Sequence, residues 1–110
     1  MMASDTGIKD PHPDTRISAL RSAIDEIDAR LLALINDRLK LATQIGTIKK
    51  MAGNPVKDRE REKRIISRLQ DSNCGPIDND LLRRVFADII RASCYLQNTL
   101  HTKPESNCHD

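Results

Sequence analysis

The sequence predicts an all-α fold: a three-helix subunit with one long N-terminal helix, paired with a second copy in an intertwined helical-bundle homodimer. Three observations predict it. Apolar residues recur at Ile17, Leu20, Ile24, Ile27, Leu31, Leu34, Leu41, Ile45 and Ile48, in steps of three and four with one gap of seven, a pattern that marks a helix packed against other helices. Aromatic residues make up only 2% of the chain while Leu, Ile, Ala, Lys, Arg and Glu abound, and β-rich domains lean on aromatic and β-branched residues. A helix over residues 17–50 rises about 50 Å at 1.5 Å per residue, too long for one compact chain of this size to cover. An uncovered stripe of that length calls for a two-fold partner. A monomer whose first helix breaks near Gly46 is the alternative.

Residues 1–14 contain Gly7, Pro11 and Pro13 without apolar period and read as a flexible tail. Asp14 or Thr15 can cap the first helix, which continues to about Met51. Its one glycine, Gly46, is tolerated at modest cost. Gly53-Asn54-Pro55 stops it. The second helix is expected from about Val56 to Gln70, with Ile65, Ile66 and Leu69 inward. DSNCGP, residues 71–76, reads as a loop. Asp78 caps a third helix running to about Leu100, whose inward stripe is Phe86, Ile90, Ser93, Gln97 and Leu100. One domain over 15–100 and a second flexible tail over 101–110 complete the organisation.

Composition excludes several roles. A net charge of +2 and a near-absence of stacking rings speak against nucleic acid as partner. No apolar run reaches the length of a bilayer span, and no apolar core of a secretory leader is read, so no membrane role is expected. Cys74, Cys94 and Cys108 are widely spaced and form no CxxC; reduced thiols in a cytoplasmic protein are expected. His12, His101 and His109 fall in tails, and no metal or cofactor is expected.

The informative residues are polar ones in apolar places. Arg38 occupies the register position between Leu34 and Leu41. Lys49, eleven residues on, returns to nearly the same face. Arg21 lies about 100° away from Arg38 around the helix, suited to reaching a partner's pocket. Ser93 and Gln97 interrupt the apolar row of the third helix. Asp58, Arg61 and Glu62 share a face at the start of the second. Each has a bland reading: DREREKR as a solvated face, Gln97 as a satisfied core amide, Arg38 as a register device. Together they gather cations and neutral donors in one small bundle. Such a set suits a small dicarboxylate gripped by Arg and Lys, held in one reactive shape, with negative charge stabilised on one oxygen. No nucleophile–base pair, metal cluster or phosphate-cradling loop is present.

LRSAIDEIDARLLALINDRLKLATQIGTIKK, then NPVKDREREKRII, then LLRRVFADIIRASCYLQ resembles the all-helical class II (AroQ-type) chorismate mutases over residues 17–100. The resemblance implies a cofactor-independent isomerase of the shikimate pathway, converting chorismate to prephenate. It implies that Arg38 and the partner subunit's Arg21 hold the substrate carboxylates and that Arg61 secures the ring end. Lys49 and Gln97 would serve the ether oxygen. Glu62 and the backbone near Asp58 would hold the ring hydroxyl, and Ser93 would support the ring carboxylate. An isochorismate-pyruvate lyase of similar fold and a non-catalytic helical dimerisation module are the rival readings.

Overall fold

The structure, a computed structural model, describes residues 12–55 and 58–99. Its regular elements there are all helical: α1 (Pro13–Met51), α2 (Arg59–Ser72) and α3 (Asn79–Thr99). The chain divides into two compact units, residues 1–34 and 35–110, with the boundary inside α1.

In the first unit α1 begins at Pro13, earlier than the cap expected at Asp14 or Thr15. Proline suits the first helical position, where no N–H partner is needed, and the Arg16 N–H donates to the His12 carbonyl at 3.0 Å. Asp14 thus sits within the first turn, where a carboxylate complements the helix N-terminus. Ile17, Leu20, Ile24, Ile27, Leu31 and Leu34 are all exposed. The sequence reading expected a second copy to cover this stripe; the chain by itself leaves it exposed.

In the second unit each helix boundary has a local cause. Gly53 closes α1 with φ of 77°. The Gly53 N–H donates to Lys50 O, and the Asn54 N–H to Lys49 O, the paired bonds of a Schellman stop. Asp58 caps α2, its carboxylate accepting from the Arg61 N–H at 3.0 Å. The expected start at Val56 lies outside the described residues, and α2 runs two residues past Gln70, to Ser72. Asn73 organises the following turn: its Nδ2 donates to Ile77 O and Asn79 Oδ1, and its Oδ1 accepts from the Gly75 N–H. Gly75 there has φ of 77°, and its bond to Pro76 is cis. Asp78 caps α3 as expected, its Oδ1 accepting from the Leu81 N–H at 2.8 Å. Leu100, the expected last inward residue, lies outside the described residues.

The core of this unit is small: Ala42, Ile65, Leu82 and Ile90 are buried, with Ser93, Gln97 and Thr99 beside them. The inward stripe of α3 therefore starts one turn earlier than expected, at Leu82, with Phe86 half-buried. On α1 the packed face is also not the one read from periodicity. Leu41, Ile45 and Ile48 are 60%, 51% and 65% exposed. Ala42 and Gly46 are buried instead, with Arg38, Leu39, Thr43 and Lys49 half-buried around them. Small residues, not leucines, meet the neighbouring helix. No helix among the described residues is long and apolar enough to cross a membrane.

Asp78→Ala removes the carboxylate from the α3 N-terminus and is expected to cost about 1 kcal/mol, read by chemical denaturation. An unchanged midpoint would mean that α3 starts without help from this cap.

Candidate active site

Arg38, Ala42 and Gly46 follow one another at four-residue spacing along α1, so they stack on one face. Two polar bonds tie that face to α3. Arg38 Nη1 donates to Ser93 Oγ at 2.9 Å, and Gln97 Nε2 donates to the Ala42 carbonyl at 2.6 Å. Both bonds span 55 residues, so α1 and α3 run side by side in the same direction over this turn. Ser93 and Gln97 are 6% and 7% exposed, and burial without partners would be costly for both. Ser93 Oγ also donates to the Ile89 carbonyl at 3.1 Å, so it relays between Arg38 and its own helix. The Gln97 amide has a second N–H and an oxygen beyond the bond to Ala42.

α2 contributes its first turn. Asp58 spends one carboxylate oxygen on its own helix. Arg61 and Glu62 follow it, and the Cys94 thiol lies 3.9 Å from Glu62 Oε2. The solvated reading of DREREKR holds for Glu60 and Lys63, which form a loose surface ion pair at 3.9 Å, both about three-quarters exposed.

A pocket of about 420 Å³ opens between these helices. Arg38, Lys49, Asp58, Arg61, Glu62, Ser93 and Gln97 all line it, against apolar walls that include Leu41, Ile45, Ile65 and Ile90. Seven of the eight site residues expected from sequence thus share one hollow. The eighth, Arg21, is exposed on the N-terminal part of α1. Three cations against two carboxylates leave the pocket wall positive, and one of those carboxylates is turned to a helix terminus. Such a wall suits a compact dianion with two carboxylates, and its buried amide can steady negative charge on a third oxygen.

Sequence reasoning missed three features. Cys94, expected only as a reduced thiol, forms part of the pocket wall. Asp58 is a cap before it is anything else. Gly46 is a point of close approach: a Cβ there would stand 2.6 Å from Gln97 Cγ. A glycine inside an otherwise strong helix was the signal for the last.

A family model described as chorismate mutase type II matches residues 20–98, the span that holds all eight positions. The bifunctional chorismate mutase/prephenate dehydratase of Escherichia coli (strain K12) is 35% identical over 83 residues, covering 74% of this chain and 22% of that protein. The chorismate mutase of Methanocaldococcus jannaschii is 42% identical over 55 residues, covering 50% of this chain and 56% of that protein. Among solved structures, Form II of the chorismate mutase from Thermus thermophilus aligns with a TM-score of 0.75 at 32% identity, covering 76% of this chain and 94% of that chain. This chain therefore spans about a fifth of the bifunctional relatives it matches.

A half-buried guanidinium that serves a ligand is expected to cost the empty protein stability. Arg38→Leu leaves Ser93 Oγ its bond to Ile89 O, so no buried group is stranded. The variant is expected to melt at or above the wild-type temperature in thermal scans. A fall of several degrees would make Arg38 a structural residue.

Proposed function

This chain belongs to the chorismate mutase type II family, and we propose that it rearranges chorismate to prephenate, as an isomerase of aromatic amino acid biosynthesis. The observation that carries the reading is the shared pocket: cations and amide and hydroxyl donors from three helices meet in one hollow.

The reaction is intramolecular. The ether C–O bond breaks while a carbon–carbon bond forms between the enolpyruvyl methylene and the ring. No proton, nucleophile or cofactor takes part. The enzyme's tasks are therefore two: folding a floppy dicarboxylate into its reacting shape and stabilising charge that grows on the ether oxygen. For the first, Arg38 holds one carboxylate, with Ser93 beside it supporting the ring carboxylate, and Arg61 secures the ring end. Glu62 and the backbone near Asp58 hold the ring hydroxyl. For the second, Lys49 and the outer N–H of Gln97 donate to the ether oxygen. The Ala42 carbonyl holds the other N–H of that amide, so the donor is aimed before substrate arrives.

Arg21 completes the carboxylate grip from a second copy in a homodimer. The exposed stripe from Ile17 to Ile48 supports this reading, because an apolar face of that length is what a two-fold helical interface covers. The wide spacing of Cys74, Cys94 and Cys108, with no CxxC pair, accords with a cytoplasmic setting.

Purified protein is expected to bleach the chorismate absorbance and yield prephenate. An inert chorismate solution, with isochorismate cleaved to salicylate and pyruvate, would assign the chain to the lyase reaction instead. Lys49→Ala and Gln97→Ala are each expected to lower kcat by about 10²–10³-fold, and Arg38→Ala to damage kcat and KM together. A near-normal kcat/KM in Lys49→Ala would remove that residue from the chemistry.

A neutral amide donates at any ordinary pH, so wild-type activity is expected to vary little between about pH 5 and 8 through this group. In Gln97→Glu the carboxyl can donate only when protonated, and it faces the Ala42 carbonyl, which repels a carboxylate. Its activity is expected to rise toward acid and fall as the pH climbs. An identical pH–rate profile for variant and wild type would count against donation by this side chain.

A further inference from the structure

Gly46 touches no reacting group in the scheme above and does not itself line the pocket, yet it lies directly against Gln97, which does. A Cβ built on it would lie 2.6 Å from Gln97 Cγ, 2.8 Å from Gln97 Cβ and 3.3 Å from Gln97 Cα. The first of these belongs to a side chain that can turn aside. The other two are fixed by the backbone of α3, which would itself have to retreat or rotate. Gly46 and Gln97 are both buried, so solvent offers no room for the shift.

The bond made at this contact is specific. Helical geometry points the Gly46 N–H at the Ala42 carbonyl, and Gln97 Nε2 donates to the same oxygen at 2.6 Å. A carbonyl has two lone pairs and can serve both. Reaching that oxygen takes the Gln97 side chain directly over the Cα of Gly46. Any side chain at position 46 would block the route.

We propose that Gly46 is a positioning residue for the rearrangement: its missing Cβ lets Gln97 lie against α1 and anchor on Ala42, which aims the outer amide N–H at the ether oxygen. The role rests on the chorismate reading above. It differs from a general packing role in what it should change. Displacing the amide weakens a contact made to developing charge, which lowers kcat. Arg38 and its bond to Ser93 lie two turns away along α1, so the grip on the carboxylates, and with it KM, should survive.

The test compares wild type, Gly46→Ala, Gln97→Gly and the double variant, with kcat and KM for chorismate measured well below each melting temperature. Gly46→Ala is expected to lose about 10²-fold in kcat with KM little changed. Gln97→Gly removes both close atoms of the side chain and leaves only the Cα facing position 46. In that background Gly46→Ala is expected to change kcat no further. If Gly46→Ala alone does not fold, the comparison of Gln97→Gly with the double variant still decides. A further large loss of kcat there would show that Gly46 acts through something other than Gln97 and would overturn the proposal. So would a folded Gly46→Ala with wild-type kcat. Wild-type protein that leaves chorismate unchanged would instead overturn the function reading itself.

Discussion

Two hydrogen bonds one helical turn apart, from Arg38 to Ser93 and from Gln97 to the Ala42 carbonyl, govern the arrangement of the pocket. They join α1 to α3 in a common direction and use polar groups where a helix pair would ordinarily use leucines. A buried amide or hydroxyl is tolerated only with partners in good geometry, so these bonds set the register of the two helices without being a source of net stability. They hold the neutral donors at the pocket floor and leave the cations along its wall. The apolar core beside them is small, as Ala42, Ile65, Leu82 and Ile90 show. The polar contacts therefore carry more of the specificity of packing here than hydrophobic burial does.

The same economy explains the exposed leucines and isoleucines of α1. The helix gives one face to its own chain, with Ala42 and Gly46 at the contact, and keeps Leu41, Ile45 and Ile48 in solvent along with the stripe from Ile17 to Leu34. A helix that offers small residues to one neighbour and leaves a large apolar face exposed, with Leu41 and Ile45 beside the pocket, accords with the proposed second interface. In the proposed dimer the second face would meet another α1, and the same association would bring Arg21 of one chain to the pocket of the other. Stability and catalysis would then depend on one event, the pairing of two chains.

Much of this was legible in the residues. The three helices followed from periodicity and from stop and start signals with direct physical causes, Gly53-Asn54-Pro55 after α1 and Asp78 as cap of α3, whereas Pro13 was read into the tail and in fact opens α1. The grouping of Arg38, Lys49, Asp58, Arg61, Glu62, Ser93 and Gln97 followed from polar residues standing on faces that pattern alone would fill with apolar ones. What escaped was the identity of the packed face on α1. Periodicity reports which face is apolar, and it does not report whether the chain's own helices or another molecule cover that face. Small residues carry almost no periodic signal, so Ala42 was invisible as an interface, and only an isolated glycine within a strong helix pointed to Gly46. Asp58 was read by charge, although its first use is to satisfy backbone N–H groups at a helix start. Asn73 escaped because three hydrogen bonds from one side chain depend on turn geometry that composition does not encode.

The central claim is that positive side chains from α1 and α2 converge on one small dicarboxylate. A crystal structure with a stable, bicyclic dicarboxylate shaped like the compact reacting form tests it most directly. The account predicts carboxylate oxygens about 2.7–2.9 Å from guanidinium nitrogens, Arg38 among them, with Lys49 and Gln97 on the bridging oxygen. A ligand seated elsewhere, or one in the pocket whose carboxylates turn to solvent and leave Arg38 on Ser93 alone, would contradict it.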